Sequence, residues 1–465
     1  MMTGTLNRDA LTTAVTNGEI ETVLVAFPDL YGRLVGKRYD AGYFLESAAR
    51  GLHFCDYLLA CDMEMDPVPG YHYTSWAQGY GDAQGRIDWL TLRRASWLDK
   101  SALVLCDVVD ESSGDLVPIA PRSILRRQLE RARQAGYVPM GATELEFFVF
   151  KDNYDTARSK HYADLRTYSD YIEDYHLFQG TKTEGLLGAI RSHLRQSGIP
   201  VEFSKGEWGA GQEEINIRYS DLIAAGDRSV ILKQIAKEIA HQQNLSVTFM
   251  AKWHADHAGN SMHVHFSLWD AEGKHSLFAA EDDHSSTPRF GMPVAASDMF
   301  GWALGGMLAH AHELILFFAP NVNSYKRYQS ASFAPTALAW SYDNRTAGFR
   351  VVGHGPSLRI ECRIPGADAN PYLVLAALVA AALDGITHQI EPPPIFAGDA
   401  YAAQSLLRVP RSLHEAISAF EASEFVHATF GEDVVAHYLH FARTEQRKFD
   451  EVVTDWERQR FFEQG

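Results

Sequence analysis

Positive charge is scarce in this chain: 42 lysines and arginines stand against 59 aspartates and glutamates, a formal net charge of −17. That balance argues against a nucleic-acid partner and against a protein drawn to anionic membrane, since both need a basic surface. Cysteine is nearly absent. The four present, Cys55, Cys61, Cys106 and Cys362, have neither the paired spacing of a zinc site nor the density of a disulfide framework. No P-loop signature occurs, so a glycine-rich loop of that type cannot cradle phosphates. Long apolar runs are missing too. Residues 303–319 are interrupted by His310, His312 and Glu313, and residues 372–382 are soon followed by Asp384 and His388, so both read as buried helices. The first twenty residues lack a basic stretch followed by an apolar one, as a secretory leader requires. These absences lead to the expectation of a soluble cytoplasmic protein.

What is present is 46% hydrophobic residues in 465, enough core for two or three domains. Residues 20–27 and 34–39 read as strands around a turn at 29–32, with short strands at 89–90 and 102–109. A helix over 122–136 opens after prolines and closes on Gly136. A domain boundary is placed near residue 115, giving units 1–115 and 116–465. Beyond it the pattern predicts strands at 144–150, 201–203, 214–218, 247–250 and 263–269. Helices are predicted at 183–196, 227–243, 299–317, 371–388 and 412–424, with a helical tail after Asp433 and an irregular insert at 151–179. The class is α+β, with an antiparallel sheet used as a working surface and helices behind it.

Three strands carry unusual charge. In MGATELEFFVF (140–150) period-two geometry sends Glu144 and Glu146 to one face. Two neighbouring carboxylates repel, and burying them is costly unless a divalent cation intervenes; a solvated strand face would tolerate them without one. GEWGAGQEEINI supplies Glu207 and Glu214, with Asn216 and Arg218 on the face of Glu214. Glu213 has the parity of the core-facing isoleucines, so regular alternation is taken to start after it. MHVHFSLWD (262–270) puts His263, His265 and Ser267 on one face. Carboxylates with an imidazole suit magnesium or manganese rather than zinc. In RIECRIPGADANPY, Arg359, Glu361 and Arg363 alternate with apolar residues. A solvated strand could hold them; beside the other acids, Glu361 becomes a further candidate ligand and the arginines an anion clamp. Lys326, Arg327, Asn344, Arg345 and Arg350 add donors, a concentration suited to a polyphosphate and a carboxylate.

Taken in order, GATELEFFVF, GAGQEEINI, NSMHVHFSL, NSYKR, DNR and RIECRIPGADANPYL resemble the glutamine synthetase superfamily, and VLVAFPDLYGRLVGK (23–37) is similar to its small beta-grasp domain. The resemblance implies an N-terminal beta-grasp domain and a C-terminal catalytic domain with a curved antiparallel sheet. It implies one metal site from Glu146, Glu207 and Glu214, and a second from Glu144, His263 and Glu361, holding two or more Mg2+ or Mn2+ ions. It further implies ATP-dependent formation of γ-glutamyl phosphate, then displacement of phosphate by an amine. Arg345 is implied at the transferred phosphate and, with Arg363, in catalysis. His265, Ser267, Arg350 and Arg359 would line the nucleotide. Gly259, His263, Arg327 and Arg363 would meet glutamate, with Arg327 on its α-carboxylate. A dodecamer of two stacked hexameric rings is implied, its active sites formed between neighbouring subunits.

The chain departs from the ammonia-using members. Where they carry a glutamate in a GYEAP-like piece, this chain has ASFAP, with Phe333 at the acidic position. Ala258 replaces the asparagine before the substrate glycine. FCDYLLACD stands where an FDGSS-like stretch is usual, and Asp56 is the surviving acid. Losing a carboxylate weakens the hold on ammonium, and Phe333 offers an apolar wall for an alkylamine. The pattern resembles γ-glutamylpolyamine and γ-glutamylmonoamine synthetases. Asp56, Glu64 and Asp66 incline the expectation toward putrescine or a related diamine. The alternatives are an authentic glutamine synthetase and a non-catalytic binding protein. The two full sets of metal ligands weigh against the latter. Tyr401 follows EPPPIFAGDA, a poor match to an adenylylation loop, so that control is not expected.

Overall fold

The computed structural model describes residues 4–47, 51–280 and 290–465. The N-terminal sheet contains β1 (Thr22–Pro28), β2 (Leu34–Asp40), β3 (Leu52–Cys55), β4 (Asp82–Ile87), β5 (Arg93–Arg94) and β6 (Ser101–Val109). Its order is β2-β1-β6-β4-β3, with β5 also on β6. β1 and β6 run parallel, and β6 is buried at every position, as expected of its nearly unbroken apolar sequence at the sheet centre. The strand expected at residues 89–90 is instead a 3-10 turn, Trp89–Thr91. Asp88 accepts a hydrogen bond from the Leu90 N–H at 3.1 Å, a local bond that competes with strand pairing.

The second sheet comprises β7 (Tyr137–Phe150), β8 (Val201–Gly206), β9 (Gln212–Ile217), β10 (Ser220–Asp221), β11 (Ser246–Thr248), β12 (Met262–Asp270), β13 (Trp340–Tyr342), β14 (Phe349–Val352) and β15 (Arg359–Cys362). Its path is β13-β14-β15-β12-β7-β9-β8, with β10 and β11 on β7. All pairs are antiparallel except β13 with β14, a departure from the fully antiparallel sheet expected. β7 starts seven residues before the expected strand because Gly141 does not break it. A side chain there would strike the His265 carbonyl, so glycine serves close strand approach.

Helices Pro121–Gln134 and Leu222–Gln242 pack on β7 and on each other, and Pro371–His388 packs on both of them and on Asp298–His310. Leu222–Gln242 starts five residues before the expected helix because Asp221 caps the Ala224 N–H. The helix expected over 299–317 is divided: a turn after His310 precedes Ile315–Phe318, and His310 bonds both Glu313 and Asp384 there. The irregular insert includes a short helix, Tyr154–Ser159, and the following helix starts at Leu177. Pro371–His388 is long and apolar enough to cross a membrane, yet 78% of it is buried within the protein. Gly306 and Gly385 leave room for the backbones of Asp298–His310 and Pro371–His388 to meet, and Gly305 leaves room for the Ile390 carbonyl just beyond.

Candidate active site

Strand register assembles the charged face. In the β7–β12 ladder Glu144 lies opposite His263, and in the β7–β9 ladder Glu144 faces Asn216 while Glu146 faces Glu214. Lys205 on β8 lies opposite Glu214, and Glu361 on β15 is flanked by His265 and Arg350. The expected alternation therefore holds, and on β9 it begins earlier than expected. Glu213 sits opposite Phe147 on the reverse face, 1% exposed, where burial and then nearby Glu173 push its carboxyl up to about 8.

One cleft of about 400 Å³ is lined by Glu144, Glu146, Glu207, Glu214, Gly259, His263, Phe333, Arg345, Arg350, Glu361 and Arg363. A second, about 540 Å³, shares Glu144 and holds His265, Ser267 and Arg359. The structure thus brings together every expected site residue but one. Arg327 is 1% exposed beneath Gly259. Its guanidinium donates to the carbonyls of Arg363, Ile364 and Pro365 at 2.9–3.0 Å. These bonds brace the backbone that carries Arg363.

Glu146, Glu207 and Glu214 offer oxygens within 4.8 Å of one another. Burial and then the Glu207 charge push the Glu146 carboxyl up to about 8 and that of Glu214 up to about 10. Among the described residues the only cation bonded to this trio is Lys205, paired with Glu207 and, at 3.2 Å, with Asp174. Glu144 and Glu361 behave oppositely. Burial opposes their ionisation, but His265 with His263 holds Glu144 well below its usual range. Arg363 with His263 holds Glu361 at about 2. Glu361 accepts from Arg350 at 2.8 Å and from Arg363.

His263 Nδ1 faces Glu144 at 3.3 Å and Glu361 at 3.7 Å, while its buried Nε2 has no partner among the described residues. Burial and Arg363 lower its pKa, keeping the imidazole neutral as a metal ligand must be. Crowded carboxylates with raised pKa values and an imidazole with incomplete bonding fit hard divalent cations. His265 bonds Glu144 through Nε2 at 2.7 Å and accepts from Arg359 Nε at Nδ1, which assigns the proton to Nε2.

Several site residues escaped the sequence reading. Gln212 Nε2 bonds Glu146, the Gly259 carbonyl and Asn260 Oδ1, so it sets the floor between β7 and the loop before β12. Lys205 could be suspected from its place two residues before Glu207, but a register shift at Val201/Phe203 removes any simple parity. Trp208 and Tyr175 also line the first cleft and carry no pattern signal.

Besides the trio of Glu146, Glu207 and Glu214, among the described residues Glu144 groups with Glu214 and His263 or with His265 and Glu361, not with His263 and Glu361 together as expected. Acidic groups of this kind beside an arginine rim fit the class of enzymes that handle phosphoryl groups with divalent ions. The chain belongs to the glutamine synthetase family, whose catalytic domain matches residues 118–461. It is 46% identical over 459 residues to gamma-glutamylethanolamide synthetase GlnA4 of Streptomyces coelicolor, covering 98% of this chain and 96% of that one. It is 34% identical to a glutamate–isopropylamine ligase of a Pseudomonas species, covering 96% and 95%. A solved GmaS/ADP complex superposes with a TM-score of 0.83 at 27% identity, covering 97% and 99%. The α+β architecture is accordingly the glutamine synthetase fold.

Proposed function

We propose that this chain is an ATP-dependent ligase joining the γ-carboxyl of L-glutamate to a primary amine. The observation that carries the reading is the pairing of a complete acidic cation site with Phe333 where ammonia-using members have a glutamate. The names of the two relatives, an ethanolamide synthetase and an isopropylamine ligase, support an amine as the nucleophile. In this reading residues 1–115 form the small domain, residues 116–465 form the catalytic domain, and subunits assemble as a dodecamer.

Mg2+ or Mn2+ held by Glu146, Glu207 and Glu214 and by Glu144, His263 and Glu361 would supply charge neutralisation on the phosphates. The protein's own groups do the positioning. His265, Ser267 and Arg359 line the cleft suited to the nucleotide, and Arg350 bonds Glu361 at 2.8 Å in the first cleft. The glutamate γ-carboxylate takes the γ-phosphoryl group as its bond to the bridging oxygen breaks, releasing ADP. Arg345 at the rim and Arg363 beside Glu361 offset charge on that group. The amine nitrogen then attacks the acyl carbon, phosphate leaves and the nitrogen gives up a proton. Gly259 keeps the floor open, because a side chain there would meet Arg327 and the Ala251 carbonyl.

Phosphate release measured with ATP, Mg2+, L-glutamate and a panel of amines tests this. Turnover that needs glutamate and an alkylamine, with little response to ammonium, is expected. Strong ammonium turnover would return the chain to glutamine synthesis.

A further inference from the structure

Trp208 and Phe333 face one another across the first cleft. Their ring centroids are 5.6 Å apart and their planes 72° apart, an edge-to-face pair, although Trp208 is 51% and Phe333 45% exposed. Large aromatics left half-exposed beside a polar cleft mark a surface awaiting a ligand. Both are tied to the catalytic groups. The Trp208 N–H donates to its neighbour Glu207 at 3.2 Å, and the Phe333 carbonyl accepts from Arg363 at 3.3 Å. Phe333 is held at φ +58°, a conformation most side chains avoid. Tyr401 fixes the next residue through its bond to the Ala334 carbonyl at 3.0 Å. The ring is thus directed toward the cleft by backbone that the site itself anchors.

The carboxylates lining this cleft are all engaged within the chain. Glu144 bonds two histidines, and Glu146 bonds the Ser261 N–H and Gln212. Asp174 and Glu207 share Lys205, Glu214 bonds Asn216, and Glu361 bonds Arg350 and Arg363. Five of these six acids are the expected metal ligands and the sixth, Asp174, is paired with Lys205, so in the loaded site none is left without a counter-charge for a second ammonium on the substrate. We propose that Trp208 and Phe333 form the wall that selects the amine, and that the substrate is a short monoamine with an uncharged tail rather than a diamine. The inference rests on the ligase reading above and names its substrate class. The tail lies against the ring edges while the nitrogen points to the acyl carbon.

The test measures kcat and KM of the wild type, Trp208→Ala and Trp208→Phe with isopropylamine, ethylamine, putrescine and hydroxylamine, a tail-less nucleophile that traps acyl phosphates. The wild type is expected to favour both monoamines over putrescine. Trp208→Ala is expected to lower preference for isopropylamine over hydroxylamine about tenfold, through KM, the scale set by one or two methylenes in an apolar pocket. Trp208→Phe should restore most of it. Putrescine used as well as ethylamine, or an unchanged preference in Trp208→Ala, would overturn the inference. Failure of the wild type to form any hydroxamate would instead overturn the ligase reading.

Discussion

The trio Glu146, Glu207 and Glu214 and the knot around Arg122 are both buried charge, yet the protein neutralises them differently. Arg122 is 2% exposed and donates twice to Asp227 at 2.9 Å, to Asp88 at 2.7 Å and to Asp107. Arg126 adds bonds to Asp88 and Asp107, and the Tyr372 hydroxyl closes on Asp227 at 2.7 Å. Here the Asp88 pKa falls despite burial, because Arg122 and Arg126 outweigh it, and Arg122 is held more firmly charged. At the trio, where burial and the Glu207 charge outweigh Lys205, Arg327 and Arg363, two carboxyls rise instead. A cluster that supplies its own counter-charges joins β6 to helices Pro121–Gln134 and Leu222–Gln242; a cluster short of them has the chemistry of a group that could hold a cation.

The largest effect should come from breaking the balanced knot. Arg122→Met leaves buried Asp107 and Asp227 and partly buried Asp88 short of their main partner and is expected to cost about 3–5 kcal/mol of stability. Chemical denaturation would read it, and a loss below about 1 kcal/mol would erase the contrast. Glu146→Gln should do the reverse. It keeps an acceptor for the Ser261 N–H while removing a crowded charge. Stability without metal should hold or rise, while glutamate- and amine-dependent phosphate release falls about 100-fold or more, roughly 2.7 kcal/mol. Equal loss of stability in both variants would make the trio structural as well.

Divalent ions sharpen the same comparison. Mg2+ at a hundred times its dissociation constant should stabilise the wild type by about 2.7 kcal/mol, a gain that EDTA reverses. Glu146→Gln should lose most of that gain, and a stability-matched variant of the Arg122 knot should keep it.

Much of the trio was legible before any coordinates. Alternation on β7, β9, β12 and β15 fixes which side chains share a face, and that geometry needs only the period of a strand. The knot was not legible, because its members come from residues 88, 107, 122 and 227 and nothing local relates them. Arg327 shows a different limit. Its sequence setting suits a substrate contact, while its three carbonyl partners arise from backbone some 36–38 residues away. Trp208 escaped because an aromatic after a glutamate has no periodic signature. Phe333, 125 residues further on, gives it meaning only through folding.

His437 is a buried titratable group of another kind, neutral and with no carboxylate bonded to it among the described residues, and the smallest effect follows from it. Its Nε2 lies 2.9 Å from the Leu59 carbonyl, its ring packs on Tyr71 at 4.4 Å between centroids, and His440 and His72 lie nearby. Three acids line the adjoining groove: Glu421 pairs with Arg443, Glu432 with His427, and the charge of Asp433 acts on Arg127. Burial, then the two histidines, push its pKa down to about 3, against about 6.5 in an unfolded chain. The unfolded state therefore binds the extra proton between those values. The stability this neutral ring contributes is complete above pH 6.5 and is lost as pH falls toward 3. Between pH 7.5 and 5.0 the loss is about 2 kcal/mol. His437→Gln keeps an N–H for Leu59 but cannot titrate, so its urea-denaturation stability should fall by about 2 kcal/mol less than wild type over that interval. Equal falls would assign the acid sensitivity to the carboxylates, and the contrast between balanced and unbalanced clusters would then have to explain it alone.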